Sequence, residues 1–489
     1  MRVVLINPPL DAVLARGEIT PVTSYLFHNS APLGLLYLAA MLEQAHHSVL
    51  VIDAAAERLN VRQTVLRVQR FRPDVVGITS TTVGFDDARA LAAECKRAMP
   101  QIPIVLGGPH CSLLPEEAMT DTAFDYGFVG EAEDAILEIC DMVAGKRPVD
   151  SVPGLVHRTD HGIAFNRPRP EIENLDRLPF PARHLLSPHL YRPVPIDQHG
   201  LPKFSIISSR GCPHACVYCQ KTRSGYRSFS TGYIVDEMEM LVDSFGAKDI
   251  AFVDSLFARS HERVEALCDE ILARPGLKER VSWTCSARIG CVDKPLLAKM
   301  KQAGCWRVRF GLESGNDEVL RFIRKGTTKK EIAQVIRWAD EVGLRPKAFF
   351  MIGHLKDTRE SIEETIAFAK SIPLMDITVQ INTILPKTPQ ETIWKREGSR
   401  YGRIVSDRAG DKSFWQPTFV PHGMSADDLV RYHRRFYREF YLRPETLWRH
   451  LKAIESLSDV TKYLKAAHLS LFLIMPPRTS TAREQEGGT

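Results

Sequence analysis

Twice along this chain, short unbroken apolar runs alternate with segments whose apolar residues recur at helical spacing. That double series constrains the fold more than any other feature. In the first series Val3–Ile6, Val49–Asp53, Val75–Ser80, Ile104–Gly107 and Tyr126–Val129 read as strands, β-branched and bounded by Pro, Gly or Asp. Between them Leu33–Gln44, Asn60–Phe71, Phe85–Met99 and Ala132–Ala144 read as helices. Strands that are apolar at consecutive positions are buried on both faces, so helices must cover both sides of a parallel sheet.

The expected fold class is therefore α/β. Residues 1–144 should form a doubly wound, five-stranded, Rossmann-like (flavodoxin-like) domain, with ligands at the carboxyl ends of its strands. The second series has strands at Phe204–Ser209, Ile250–Ser255, Val281–Ala287, Val308–Glu313, Lys347–Ile352 and Ile377–Leu385. Helices at Val235–Phe245, Glu262–Ala273, Lys294–Ala303, Lys330–Val342 and Arg359–Ile372 separate them. Six such units over residues 203–391 predict a partial (β/α)6 barrel of the TIM type, two units short of the full eight. Residues 145–202, rich in Pro, Arg and His, read as a linker. Residues 392–489 read as a helical extension containing Asp427–Tyr441, with a Ser/Thr/Gly/Glu tail expected to be disordered.

Composition narrows the function classes. A net charge of +5, from 64 basic and 59 acidic residues, gives no basic block suited to nucleic acid. The apolar start, Val3–Ile6, is too short for a signal peptide and runs into prolines. The longest apolar candidate, Leu464–Met475, is broken by Lys465 and His468, which allows peripheral membrane contact at most. Ten cysteines in a long chain without a leader predict reduced thiols and a cytoplasmic protein.

The chemistry concentrates in one loop. The first strand of the second series runs into Ser208-Ser209-Arg210-Gly211-Cys212-Pro213-His214-Ala215-Cys216-Val217-Tyr218-Cys219. Three thiolates within eight residues make a compact soft-ligand site. A [4Fe–4S] cluster normally takes four cysteines, so three would leave one iron open to a substrate or cofactor. The alternative is zinc with His214 as fourth ligand. Closed zinc sites usually pair two ligand clusters, and Cys268, Cys285, Cys291 and Cys305 are scattered instead.

Cys-x-x-x-Cys-x-x-Cys, with Tyr218 before the last cysteine, resembles the signature loop of the radical S-adenosylmethionine superfamily. The resemblance implies a [4Fe–4S] cluster on Cys212, Cys216 and Cys219 whose open iron chelates S-adenosylmethionine. Electron transfer then releases a 5′-deoxyadenosyl radical. It also implies that Asp254, Arg288 and Glu313, each at a strand end, help hold S-adenosylmethionine; fold-stabilising ion pairs are the plainer reading of each. The fifth strand ends in Gly353-His354-Leu355-Lys356-Asp357-Thr358, a departure from the family's Gly-x-Pro-Gly-Glu-Thr; His354 and Lys356 read as substrate contacts or, more simply, as surface replacements.

No Gly-x-Gly-x-x-Gly follows the first strand of the first domain. Asn7-Pro8, Ser80-Thr81-Thr82, Gly107-Gly108-Pro109-His110 and Gly130-Glu131 occupy the strand ends instead. Hydroxyls and close-approach glycines there suit a large ligand whose tail enters the sheet. This pattern is similar to the cobalamin-binding domain that precedes many radical S-adenosylmethionine enzymes. One departure matters: the Asp-x-His that supplies the lower cobalt ligand in classical domains reads Asp53-Ala54-Ala55 here. The resemblance thus implies cobalamin with no protein histidine at that place; His110 and His28 remain available in principle, with loop packing as their plainer reading. A scaffold that binds nothing is the bland alternative.

Together these resemblances imply a methyltransferase that moves a methyl group from methylcobalamin to an unactivated carbon, with electrons from a flavodoxin or ferredoxin. The substrate would be a small molecule or lipid-like compound, of hopanoid or tetrapyrrole type. Phe414, Trp415, Phe436 and Tyr437 among Arg431, Arg434 and Arg435 could cover it; a solvated helix packed on the barrel explains them equally. Oxidative cyclisation with the same cofactors, and a cobalamin or redox sensor without turnover, are the competing readings.

Overall fold

The computed structural model describes residues 1–10, 30–120, 122–222, 225–405, 417–454 and 456–474, without the side chains of Ser458 and 470–474. His28, Phe414, Trp415 and the C-terminal tail lie outside the described residues.

The first sheet contains β1 (Arg2–Asn7), β2 (Ser48–Asp53), β3 (Val75–Thr79), β4 (Ile104–Gly107) and β5 (Tyr126–Phe128), in the spatial order β2-β1-β3-β4-β5. All are parallel, as their continuous apolar runs require, and Val4, Ile6, Val76 and Leu106 are fully buried or nearly so. The order reverses at β1/β3, the switch point where open α/β sheets hold ligands beyond the strand carboxyl ends.

The sheet is wider than the sequence pattern suggests. Beyond β5 it continues through β6 (Leu155–Thr159) and β7 (Gly162–Phe165), both antiparallel, making seven strands. The segment read as linker therefore carries a hairpin. Thr159-Asp160-His161-Gly162 is its turn, with Gly162 at φ +112°. The Pro- and Arg-rich flanks obscure that short signal.

The second sheet holds β8 (Lys203–Ile206), β11 (Asp249–Phe252), β12 (Ser282–Ala287), β13 (Cys305–Glu313), β14 (Lys347–Ile352) and β15 (Asp376–Ile381). Each is parallel to its sequential neighbour, in the order β8-β11-β12-β13-β14-β15. Two residue pairs form a minor ladder, β9 (Ser209–Arg210) with β10 (Arg227–Ser228). A last ribbon joins β16 (Gly402–Ile404) and β17 (Phe419–Pro421).

An unclosed barrel leaves unpaired backbone groups on its outer strands. Here side chains take them up. On β15, the Tyr437 hydroxyl accepts from the Val379 N–H at 2.8 Å, and His433 bonds the Val379 carbonyl at 3.0 Å. Tyr441 bonds the N–H and the carbonyl of Ile377, each at 3.2 Å. On β8, Arg183 donates to the Ser205 carbonyl at 2.7 Å. The helix Ala426–Tyr441 thus spends its aromatic face on the barrel: Phe436 is fully buried against Phe350, with ring centroids 5.1 Å apart. Arg431 pairs with Asp428, and Arg435 with Glu363 and Glu439. Phe436 and Tyr437 are therefore packing residues, not a substrate cover.

Candidate functional site: two strand edges joined by arginine

The cysteine loop leaves β8 at the carboxyl edge of the barrel. Its approach is fixed by Asp254, just past β11, whose Oδ1 accepts from the hydroxyls of Ser208 (2.9 Å) and Ser209 (2.6 Å). Burial pushes the Asp254 carboxyl above its ordinary range, against those hydrogen bonds and Arg263. Its second oxygen is buried without a partner. Gly211 turns the loop at φ +85°, and a Cβ there would stand 1.6 Å from the Gly225 carbonyl oxygen. Only glycine lets the two stretches cross.

Beyond that turn the thiols are fixed from a second direction. The Val217 N–H donates to the Ile323 carbonyl at 3.1 Å, and Cys216 Sγ lies 3.8 Å from the Arg324 carbonyl. Arg288, following β12, places Nη1 3.7 Å from Cys216 Sγ. Lys221 donates to the Cys212 carbonyl at 3.2 Å. Arg288, Lys221, Arg259 and Lys325 all depress the His214 pKa, after burial itself, so the loop sits among cations. Such cations would offset the negative charge of an anionic cluster held there. Among the described residues, no three His, Cys, Asp or Glu side chains gather around a single-ion site. Three cysteines in a cationic loop fit an iron–sulfur cluster, with one iron left for another ligand.

Glu313 ends β13 at φ +67°, a conformation costly for a side-chain-bearing residue. Its carboxylate takes the Lys325 ammonium at 2.7 Å, both side chains being at most a tenth exposed. Lys325 also donates to the Tyr218 hydroxyl at 3.3 Å. A Cβ on Gly311 would lie 2.7 Å from Glu313 Oε1 and 3.0 Å from Lys325 Nζ, so that glycine makes room for the pair. Lys325 went unseen in the sequence. Arg324-Lys325-Gly326-Thr327 has no ligand spacing, and its only signal is a basic pair beside a glycine between helices.

His354 is a correction. It is not at the surface but fully buried, 5.7 Å from the Tyr218 ring centroid to centroid, and neither ring nitrogen has a partner. Burial lowers its pKa, against Asp357 and Glu313. The Asp357 carboxylate holds the turn by accepting the N–H groups of Gly353 (2.8 Å) and His354 (2.9 Å). Lys356 is exposed as expected. The unpaired Asp254 Oδ2, His354 nitrogens and Asn382 Oδ1 each lie just past the carboxyl end of a barrel strand, β11, β14 and β15 in turn. Buried polar atoms without partners mark where a polar ligand belongs, which fits S-adenosylmethionine.

At the edge of the first sheet, Asn7 donates to Asp53 Oδ1 at 2.8 Å, and Pro8 is buried behind it. The other Asp53 oxygen accepts the Tyr191 hydroxyl at 3.0 Å. Ala55 is 7% exposed, where the classical histidine would stand. The Ser80 hydroxyl donates to the Thr81 carbonyl at 2.8 Å, Thr81 Oγ1 accepts the Gly84 N–H at 3.4 Å, and Thr82 Oγ1 is buried without a partner. Gly107 ends β4. Gly108, at φ +90°, approaches so closely that a Cβ would sit 2.5 Å from Thr79 Oγ1. His110 is buried against Phe85, ring centroids 3.9 Å apart, which is the packing role. Gly130 donates to Ser112 Oγ at 3.2 Å. A cleft of about 760 Å³ opens beside Gly108 and Gly130, sized for part of a large cofactor.

Glu131 has a different occupation from ligand binding. Its carboxylate accepts Arg227 at 2.8 and 2.9 Å, Arg210 at 3.2 Å and the Ile172 N–H at 2.9 Å. Arg210 also takes Glu133 at 2.6 Å. Arg210 lies two residues before Cys212, and Glu131 and Glu133 follow β5. These ion pairs join the thiol loop directly to the ligand edge of the first sheet.

Comparison with known proteins agrees with this architecture. Residues 20–140 match the B12 binding domain and residues 206–369 match the radical SAM superfamily. An uncharacterised methyltransferase of Pyrococcus horikoshii is 30% identical over 91% of this chain and 94% of its own length. The anaerobic magnesium-protoporphyrin IX monomethyl ester cyclase of Rubrivivax gelatinosus is 27% identical, over 70% of this chain and 62% of its own. The cytidylyl-2-hydroxyethylphosphonate methyltransferase of Streptomyces wedmorensis is 27% identical, over 74% and 75%. In fold, the radical S-adenosylmethionine methyltransferase TsrM of Kitasatospora setae, solved with cobalamin and a [4Fe–4S] cluster, matches with TM-score 0.71. That match covers 96% of this chain and 98% of TsrM at 17% identity.

Proposed function

The chain belongs to the cobalamin-dependent radical S-adenosylmethionine enzymes, and on that premise we propose that it methylates an unactivated carbon of a small-molecule or lipid-like substrate. The observation that carries the proposal is the Arg210 bridge, which ties the thiol loop to Glu131 and Glu133 at the cofactor edge of the first domain. Methyl transfer to carbon needs those two edges side by side.

Cys212, Cys216 and Cys219 would hold the cluster. Glu313, Lys325 and Asp254 would orient S-adenosylmethionine, and Arg288 would balance thiolate charge beside Cys216. Asn7, Ser80, Thr81, Thr82, Gly107, Gly108 and Gly130 would line the corrinoid site. Burial of Asp254, Glu313 and Lys325 would help keep water from a reactive carbon centre. The bound groups supply homolytic C–S cleavage and a transferable methyl; the protein supplies position and exclusion. Per turnover a substrate C–H becomes C–CH3. Two S-adenosylmethionines and two electrons from a flavodoxin or ferredoxin are consumed, and 5′-deoxyadenosine, methionine and S-adenosylhomocysteine are released.

The test needs no substrate identity at first. Anaerobically reconstituted protein with cobalamin, S-adenosylmethionine and dithionite should release 5′-deoxyadenosine and S-adenosylhomocysteine. In Cys216→Ala, bound iron and 5′-deoxyadenosine should fall to background. Deoxyadenosine without S-adenosylhomocysteine would replace methylation with a cyclase-type reaction. Neither product would end the proposal.

A further inference from the structure

The hairpin β6–β7 is an addition to the five parallel strands, and it is built around the cleft beside Gly108 and Gly130. Phe165 and Arg167, at and just beyond its second strand, line that cleft. The backbone here is pinned. The Asn166 side-chain amide donates to the carbonyls of Val149 (2.7 Å) and Val152 (2.8 Å), and its N–H donates to Leu155 (3.0 Å). The Arg167 carbonyl accepts the Gly154 N–H at 2.8 Å. Gly154 itself, at φ +83°, leaves no space for a side chain: a Cβ would lie 2.7 Å from the Val129 carbonyl oxygen.

On this fixed backbone the arginines divide. Arg147 and Arg169 pair with Glu138, and Arg158 donates to the carbonyls of Phe124, Met119 and Thr122. Arg167 is exposed, and among the described residues its guanidinium has no partner. Glu171, the acid lining the same cleft, is taken by Arg227 at 3.0 Å. The unspent charge in the cleft is therefore positive. Beside it Phe165, 49% exposed, offers an aromatic surface to the cleft.

We infer that this wall reads the nucleotide tail of the corrinoid: Arg167 binds its phosphodiester and Phe165 lies against its aromatic base. A guanidinium is the side chain best matched to a phosphodiester, by two parallel N–H donors. The inference rests on the corrinoid reading of the first domain, and its test separates the two. Cobinamide carries the corrin ring without the phosphodiester or the base.

Equilibrium dialysis of the iron-reconstituted full chain against aquacobalamin and diaquacobinamide supplies the readout. The native protein should bind cobalamin more tightly than cobinamide. Arg167→Ala should weaken cobalamin about tenfold, the loss of one charge-assisted contact, and leave cobinamide unchanged; Arg167→Lys should recover part of the loss. Phe165→Ala should also act on cobalamin alone. Unchanged melting temperatures confirm that these exposed replacements keep the fold. Equal weakening of both corrinoids, or no weakening of cobalamin, overturns the inference. Failure of the native protein to bind either corrinoid overturns the reading beneath it.

Discussion

His433 shows how one residue couples packing to pH. It sits on the helix that seals β15, buried, with Nε2 bonded to the Val379 carbonyl. Burial holds its pKa down to about 4 from 6.5. The unfolded chain binds the proton more readily, so the stabilisation from neutral His433 is complete above pH 6.5 and is lost as pH falls toward 4. Between pH 7 and pH 5 the cost is about 2 kcal/mol. His433→Gln should lose that much less over this interval, read from urea unfolding at the two pH values; parallel losses in both proteins would refute the assignment. At the same scale, sequence reading succeeds for the cysteines, whose spacing is itself the signal. It fails for Lys325 and His354, which are ordinary residues until the chain folds them against Glu313 and Tyr218.

At the scale of elements, the thiol loop depends on Gly211 more than on any polar contact. The Gly225 carbonyl passes where a side chain would be. Gly211→Ala should therefore displace the loop and lower bound iron well below the native content, while far-ultraviolet circular dichroism stays nearly unchanged because the two large sheets do not involve this crossing. Native iron content in the variant would show that the loop adapts. The helix Ala426–Tyr441 makes the complementary point. Its aromatic stripe reads from sequence as an amphipathic face, yet which surface it covers follows from the unclosed edge of β15, whose backbone groups Tyr437, Tyr441 and His433 occupy.

For the whole molecule, the decisive contact is between domains. Glu131, 9% exposed, neutralises Arg210 and Arg227 at once. Removing one member of a buried ion pair leaves charge without compensation, at about 3 kcal/mol. Glu131→Gln should destabilise the protein by that order in urea unfolding, whereas Glu43→Gln, which removes the exposed Glu43–His184 pair, should have almost no effect. Equal stability of the two variants would mean that the bridge does not bind the domains together. Among the described residues no helix is long and apolar enough to cross a membrane.

The sequence by itself determined the parallel strands of both sheets, because unbroken apolar strands separated by amphipathic helices have few other ways to bury both faces. It also determined the thiol loop and the small residues at the strand ends, which are local facts of spacing and size. The tertiary structure alone decided the hairpin Leu155–Phe165, the burial of His354, and the use of Glu131 as a bridge. Each depends on partners more than thirty residues away, or on an edge that exists only once strands have paired. Periodicity reports which face of an element is apolar; it carries no information about the distant charge or backbone group that face will meet.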